Sequence, residues 1–106
     1  MNNFRTYNLA INFYKECEKL HVNNALRNQL TRASSSIALN LAEGRGRKTL
    51  LDQKHFFQIA LGSARECKAI LDLTINTPKN LINQADSICA HIYRLIKNAC
   101  QKLNSF

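Results

Sequence analysis

The 106-residue sequence has few of the residues that interrupt helices, with only one proline and three glycines. A fold of many short strands needs frequent turns, and this chain has too little turn chemistry to supply them. Alanine, leucine, isoleucine, asparagine, lysine and arginine dominate its composition instead. The length suits one hydrophobic core and is too short for two. We therefore predict a single all-α domain over residues 1–106.

The sequence also lacks the cysteine pairs of a metal or disulfide framework. Its four cysteines form no C-x-x-C pair, and no basic-then-apolar leader precedes them. Cys17 and His21 lie one helical turn apart, but no second close pair completes four zinc ligands. No apolar run approaches the ~20 residues that cross a bilayer. We expect a soluble, cytoplasmic protein with reduced thiols, no cofactor, no metal and no membrane contact.

No catalytic constellation can be assembled from the residue spacing. The three histidines lie on three separate segments, and the seven acidic residues are dispersed. The serines at 34–36 follow a helical pattern, whereas a nucleophilic serine of the hydrolase type lies at a strand-to-helix elbow. P-loop and dinucleotide-binding fingerprints are absent as well. The sequence therefore predicts a protein that is not an enzyme.

Positive charge is abundant, with 15 basic residues, seven acidic ones and a formal net charge of +8. This balance indicates an anionic partner such as RNA, DNA or an acidic protein, although solubility alone also explains a basic surface. The densest basic segment is a corner where glycines 44 and 46 are expected to end a helix. No aromatic residue interleaves with this corner, so base specificity is not expected. The predicted phosphate-binding residues are Arg45, Arg47, Lys48, Lys54, Arg94, Lys97 and Lys102.

Apolar residues recur at steps of three and four in four segments, which is typical of amphipathic helices. The predicted helices cover residues 3–20, 25–43, 50–76 and 78–103. Local signals predict their caps: Asn23 or Asn24 for the second helix, Thr49 for the third and Thr77 for the fourth. Gly62 lowers helix propensity inside the third helix and suggests a close helix crossing there.

Polar residues share a face with the apolar stripe of the second helix. Ser36, Asn40 and Glu43 lie at i, i+4 and i+7, so all three need partners. Glu43 also opposes the helix macrodipole in the last turn. We hypothesise that Arg65 or Lys68 of a neighbouring helix compensates its charge.

Two segments, residues 29–47 and 57–66, contain the motifs Gln29-Leu-x-Arg32-Ala33, Ser36-Ile37, Asn40-Leu-Ala-Glu43-Gly44-x-Gly46-Arg47, Phe57, Ala60 and Gly62-Ser63-x-x-Glu66. In these residues the sequence resembles the 23S rRNA intervening-sequence protein family, a bacterial group to which the accessory variability determinant of diversity-generating retroelements is similar. The resemblance implies an antiparallel up-down four-helix bundle that assembles as a ring-like homopentamer. It also implies packing and interface roles for Arg32, Ser36, Asn40, Glu43, Ser63 and Glu66.

Three functions stay open at this point. The first is a homo-oligomeric bundle that binds RNA or DNA non-specifically, with five copies of +8 giving a pentamer a formal charge of +40. The second is a protein-interaction scaffold, such as the reverse-transcriptase accessory subunit found among the retroelement relatives. The third is a structural oligomer whose charge keeps it in solution.

Overall fold

The computed structural model describes residues 4–104 and contains four helices. They are α1 (Arg5–Lys19), α2 (Asn24–Gly46), α3 (Leu50–Leu73) and α4 (Lys79–Asn104). Within the described range the chain forms no strand. The all-α prediction is confirmed, and so are the four helices, with ends that shift by up to three residues.

The helices form an antiparallel up-down bundle with extents of 48 × 23 × 20 Å. Each helix packs against the next one along the chain and α4 packs back against α1, while the described Cα atoms of the diagonal pairs stay more than 8 Å apart. Because the three connections are only a few residues long, successive helices must run in opposite directions. The end of α2, the start of α3 and the end of α4 therefore lie at one end of the bundle, together with the start of α1.

The core consists of apolar residues from all four helices. Phe13 from α1, Ile37 from α2, Leu71 from α3 and Ile92 from α4 are almost fully buried and belong to one continuous cluster. Burying each such side chain contributes roughly 1.5–3 kcal/mol relative to leaving it exposed. This shared core holds the four helix ends in fixed positions.

Two of the predicted helix caps are confirmed, and one is wrong. The side-chain oxygen of Asn23 accepts a hydrogen bond from the Leu26 amide at 2.9 Å, and Thr49 accepts one from the Asp52 amide at 3.1 Å. The Thr77 hydroxyl does not cap α4 but donates to the Leu71 carbonyl at 3.0 Å. Thr77 therefore satisfies the C-terminal end of α3, whose last carbonyls lack partners inside the helix.

Helix α2 does not end where glycine was expected to stop it. It continues through Gly44 to Gly46, and neither glycine has a positive φ. Gly44 is buried, and a Cβ added there would lie 2.8 Å from Phe57 Cε1 and 3.0 Å from Phe56 Cβ. Glycine is required here because α2 and α3 approach closely.

Two predictions about α3 are also wrong. The helix ends at Leu73 instead of residue 76, and Asn76 turns the chain with a φ of 64°. Asparagine tolerates this left-handed conformation better than most residues. The close crossing predicted at Gly62 is absent, since Gly62 is exposed and a Cβ there would meet nothing within 4 Å.

Arg27 ties α1 to α2 at the opposite end of the bundle, a role that the sequence pattern did not reveal. Its guanidinium donates to the carbonyl oxygens of Cys17, at 3.2 Å, and Leu20, and lies 3.5 Å from the Glu18 carboxylate. The last carbonyls of α1 are thereby satisfied by a cation, which the helix dipole favours.

Candidate nucleic-acid interface

The up-down topology gathers the predicted basic residues into one half of the bundle. We define the basic half as residues 4–12, 36–61 and 92–104, and the opposite half as residues 13–35 and 62–91, which divides each helix near its middle. The basic half contains eight basic and two acidic residues, which gives a formal charge of +6. The opposite half contains seven basic and five acidic residues, which gives a formal charge of +2. The basic residues of that half are Arg5, Arg45, Arg47, Lys48, Lys54, Arg94, Lys97 and Lys102.

Arg47 has contacts that order the corner between α2 and α3. Its guanidinium lies 3.2 Å from the Glu43 carboxylate and 3.6 Å from that of Asp52, and 5.3 Å from the centre of the Phe56 ring. Its carbonyl also accepts a hydrogen bond from the Gln53 amide at 3.0 Å. Arg47 thus stabilises the corner, and the two acids offset part of its charge.

The predicted partners of Glu43 are therefore wrong. Glu43 pairs with Arg47, which follows it by four residues, and not with Arg65 or Lys68. Lys68 instead lies 2.6 Å from Asp86 of α4, and that hydrogen bond raises the pKa of the lysine. A short pair at i, i+4 satisfies Glu43 without any contact across the bundle.

Arg45 and Lys102 come from different helices and line the same cleft. The cleft has a volume of about 280 Å³, and its floor includes Phe57 and Ala99. The Arg45 guanidinium lies 5.0 Å from the centre of the Phe4 ring, which fixes it against α1. The structure thus brings the basic residues at the ends of α2 and α4 together.

Lys48 and Lys54 lie on the α3 side of the same end. Lys48 is exposed beside Arg47 and Thr49 in an open depression of about 520 Å³, and Lys54 is half-buried. The depression also contains the carboxylates of Glu43 and Asp52, so it is mixed in charge. Of this corner, Lys48 is the cation best placed to reach a phosphate.

Arg94 and Lys97 extend the basic surface along α4. Both are exposed, and they flank a depression of about 430 Å³ on the outer face of the helix. Tyr93 lies in the same depression with 57% of its surface exposed. The sequence patterns identified the two cations but missed the tyrosine. The four-residue spacing between Tyr93 and Lys97 is the sequence signal that could have identified the tyrosine.

The polar residues of the predicted interface network separate into two groups. Ser36 and Ser63 are hydrogen-bonded across α2 and α3 at 2.9 Å, and Asn40 donates to the carbonyl and the hydroxyl of Ser36 at 2.9 and 3.0 Å. Glu43 belongs to the Arg47 corner instead. Arg32 and Glu66 are exposed one turn from this network, at helical spacings that place them along the same α2–α3 face.

Exposed apolar residues accompany this polar network. Leu39 follows Ser36 by three residues and is 68% exposed, and Ile59 precedes Ser63 by four and is 39% exposed. Residues three or four apart are neighbours on a helix surface. The α2–α3 face therefore combines a hydrogen-bonded centre with apolar side chains that face solvent.

Thiol chemistry is suppressed in the core. Burial raises the pKa of Cys17 to about 12, and burial also raises the pKa of Cys67 and of the half-buried Cys89. Thiolate is the reactive form of cysteine, so these three are poor nucleophiles. Residues 4–104 contain no cluster of three His, Cys, Asp or Glu side chains that could hold a metal ion. No helix in this range combines the length and the apolar character needed to span a membrane.

The fold and the charge distribution define a four-helix bundle with one strongly basic end. The chain belongs to the 23S rRNA-intervening sequence protein family, whose model matches residues 3–105. The family expected from the residue pattern is thus confirmed.

Comparison with solved structures supports the same fold. The chain is similar to the crystal structure of a protein of unknown function from the S23 ribosomal protein family of Bacteroides thetaiotaomicron. The TM-score is 0.74 at 21% identity, over 87% of this chain and 98% of that one. At this identity the likeness concerns the fold alone. A search of curated proteins finds no match.

Proposed function

We propose that this protein is a non-enzymatic bundle that binds RNA or DNA through the phosphates facing its basic half. The observation that carries this proposal is the uneven charge, +6 in the basic half against +2 in the opposite half. A cluster of cations attracts a polyanion and releases its counterions, whereas the same charges spread evenly would mainly favour solubility.

The helix dipole does not account for Arg94 and Lys97 of α4. Lysine and arginine stabilise a helix C-terminus, but the effect is confined to about the last turn. Helix α4 ends at Asn104, so Lys102 lies in that turn. Arg94 and Lys97 lie about ten and seven residues before the end and gain little from it. Phosphate binding supplies a reason for their presence.

A charge-matched pair of variants tests the proposal. We expect the triple variant Lys48→Gln, Arg94→Gln, Lys97→Gln to weaken binding of a short RNA or DNA because three phosphate contacts are lost. These three were chosen because they are exposed and, unlike Arg47, the structure shows them in no contact that orders the fold. For a single strand the slope of log affinity against log salt should fall by about 2, at about 0.7 per contact. Fluorescence anisotropy over a salt titration measures both quantities.

The control variant carries the same charge change in the opposite half. Its substitutions are Lys15→Gln, Arg65→Gln and Lys79→Gln, all at exposed positions. The proposal requires this variant to bind almost as well as the unmodified protein. Equal losses in both variants would show that net charge alone matters, and absence of binding at low salt would overturn the proposal.

Association of several copies is favoured by a different observation, the exposed Leu39 and Ile59 beside the hydrogen-bonded Ser36 and Ser63. We propose this α2–α3 face as the surface through which copies associate, in the homopentamer that the family resemblance implies. The alternatives are that this face binds a reverse transcriptase or that the oligomer is purely structural. Repeated basic ends in one assembly would strengthen nucleic-acid binding by avidity.

Light scattering at several concentrations tests the assembly. A pentamer would have a mass of about 60 kDa, five times the chain mass of 12.1 kDa. Leu39→Glu should dissociate it, because a charge would be buried without a partner. Leu73→Glu is the matched control, since Leu73 is equally exposed at the far end of α3. A monomer of 12.1 kDa in the unmodified protein would contradict the assembly without affecting the test of nucleic-acid binding.

A further inference from the structure

The outer face of α4 combines an exposed aromatic ring with cations and amides. Among residues 4–104, the depression on this face is lined by residues of α4 only, namely Ala90, Tyr93, Arg94, Lys97, Asn98 and Gln101. Tyr93 is 57% exposed and lines this depression, so its side chain is accessible to a ligand. Beyond Asp86 this helix has no acidic residue. The face is therefore positively charged and carries an aromatic platform.

Tyr93 and its neighbours are arranged at helical spacing. Lys97 follows Tyr93 by four residues and Gln101 follows Lys97 by four, so the three form a row along the helix. Arg94 and Asn98 form a second row beside it. From residue 93 to residue 102 the face is about 14 Å long, at 1.5 Å per residue.

This face is continuous with the basic end of the bundle. Asn98 lines both the Tyr93 depression and the cleft that contains Arg45 and Lys102. A ligand that follows the cations from α4 toward the end of the bundle would thus pass from the ring of Tyr93 to the guanidinium of Arg45. A flexible polyanion can follow such a path, while a rigid duplex contacts a convex bundle over a shorter stretch.

We propose that α4 binds single-stranded nucleic acid, with an unpaired base stacked on Tyr93 and the adjoining phosphates held by Arg94 and Lys97. This inference rests on the proposed function and narrows its ligand. Base faces are available for stacking only where bases are unpaired, because in a duplex they stack on one another. Stacking is tolerant of base identity, since every base has a π-face. The prediction is therefore a preference for single strands without sequence specificity.

An isolated exposed tyrosine needs no functional explanation. Two features distinguish Tyr93 from that ordinary case. Arg94 and Lys97 are exposed beside it, and the depression that contains it adjoins the cleft at the end of α4. The combination of an aromatic ring and flanking cations is the one that single-strand-binding proteins use.

The test compares Tyr93→Ala and Tyr93→Phe on two probes at low salt. One probe is a labelled single strand of about 12 nucleotides, within the site sizes of single-strand-binding folds, and the other is the same sequence as a duplex. We expect Tyr93→Ala to weaken single-strand binding by roughly fivefold or more, because the stacking platform is lost. Tyr93→Phe retains the ring and should bind like the unmodified protein. Duplex binding should be unchanged in both variants.

Leu73→Ala is the control for loss of an exposed apolar side chain, since Leu73 is 70% exposed in the opposite half. It should leave binding to both probes unchanged, and circular dichroism should show equal helix content in all variants. Equal affinity of Tyr93→Ala and the unmodified protein for the single strand, with salt-dependent binding intact, would overturn this inference and leave the proposed function standing. An equal loss on both probes would also overturn it. Absence of binding to either probe would overturn both proposals.

Discussion

The two halves of the bundle use their charges differently. In the opposite half, Lys19 lies 3.1 Å from Glu16, Lys68 lies 2.6 Å from Asp86, and Arg27 contacts both Glu18 and the end of α1. In the basic half, both acidic residues that the structure places there contact the same cation, Arg47. That half carries eight basic residues against these two acidic ones, a formal charge of +6. In the opposite half three of the seven cations pair with acids, and in the basic half cations outnumber acids eight to two.

The halves also differ in how α2 and α3 contact each other. In the basic half, buried Gly44 lets the α2 backbone approach Phe57. Near the middle of the bundle, Ser36 and Ser63 hydrogen-bond across the same two helices. Glycine at position 44 is therefore a steric requirement, while Gly62 on the exposed side of α3 is not. The position of the basic corner depends on the contact at Gly44.

The largest expected effect comes from filling the contact at Gly44. Gly44→Ala should lower the free energy of unfolding by about 1–3 kcal/mol, because its Cβ would overlap Phe57 and force a shift of α2 or α3. The loss should be measured by urea denaturation. Nucleic-acid affinity should fall as well, since the same contact positions the corner that contains Arg47 and Lys48.

Gly62→Ala is the matched substitution on α3 and should change the free energy of unfolding in the opposite direction. Its Cβ would meet nothing within 4 Å, so alanine replaces glycine inside a helix without steric cost. We expect the free energy of unfolding to rise by about 0.5–1 kcal/mol. If both glycine variants lost similar stability, the close approach would not be special to the basic half.

An effect that appears only at alkaline pH distinguishes the opposite half, where the buried thiols lie. Burial raises the pKa of Cys17 from 9.0 to about 12, so the folded state keeps this thiol protonated while the unfolded state releases its proton. The stabilisation is complete below pH 9 and is lost as pH rises from 9 toward 12. Cys17→Ala should therefore reduce the fall in unfolding free energy between pH 8 and pH 10, by about 1 kcal/mol.

Urea denaturation at each pH measures this difference between the two proteins. Comparing the pH dependence instead of absolute stability removes the constant cost of the smaller side chain. Parallel curves for Cys17→Ala and the unmodified protein would show that the thiol ionises equally in both states. The basic half offers no comparable core thiol, because its one cysteine, Cys100, is only half-buried.

Much of the fold follows from local sequence. The four helices and their buried stripes are predicted by apolar periodicity, because a 3.6-residue period places those side chains on one face whatever lies opposite. The caps at Asn23 and Thr49 are predicted for a similar reason, since a capping side chain bonds an amide only three residues away. Such features depend on neighbours in sequence.

The errors concern the neighbours that a residue has in the folded bundle. Gly44 looked like a helix stop, but Phe57, 13 residues further along, decides that it packs inside a continuing helix. The sequence predicts a partner on α3 for Glu43, whereas Arg47 one turn away satisfies it. The low helix propensity of Gly62 predicts a helix crossing, but propensity does not show that this residue is exposed.

The sequence by itself determined that the chain is helical, which residues form its core, that it is strongly basic and to which family it belongs. The tertiary structure decided that cations at the end of α2, the start of α3 and the end of α4 lie in the same half of the bundle. It also decided that Tyr93 lies exposed beside Arg94 and Lys97. The physical reason is that periodicity orients a side chain around its own helix axis only. Which helix ends meet, and which faces stay exposed, follows from how the four helices pack.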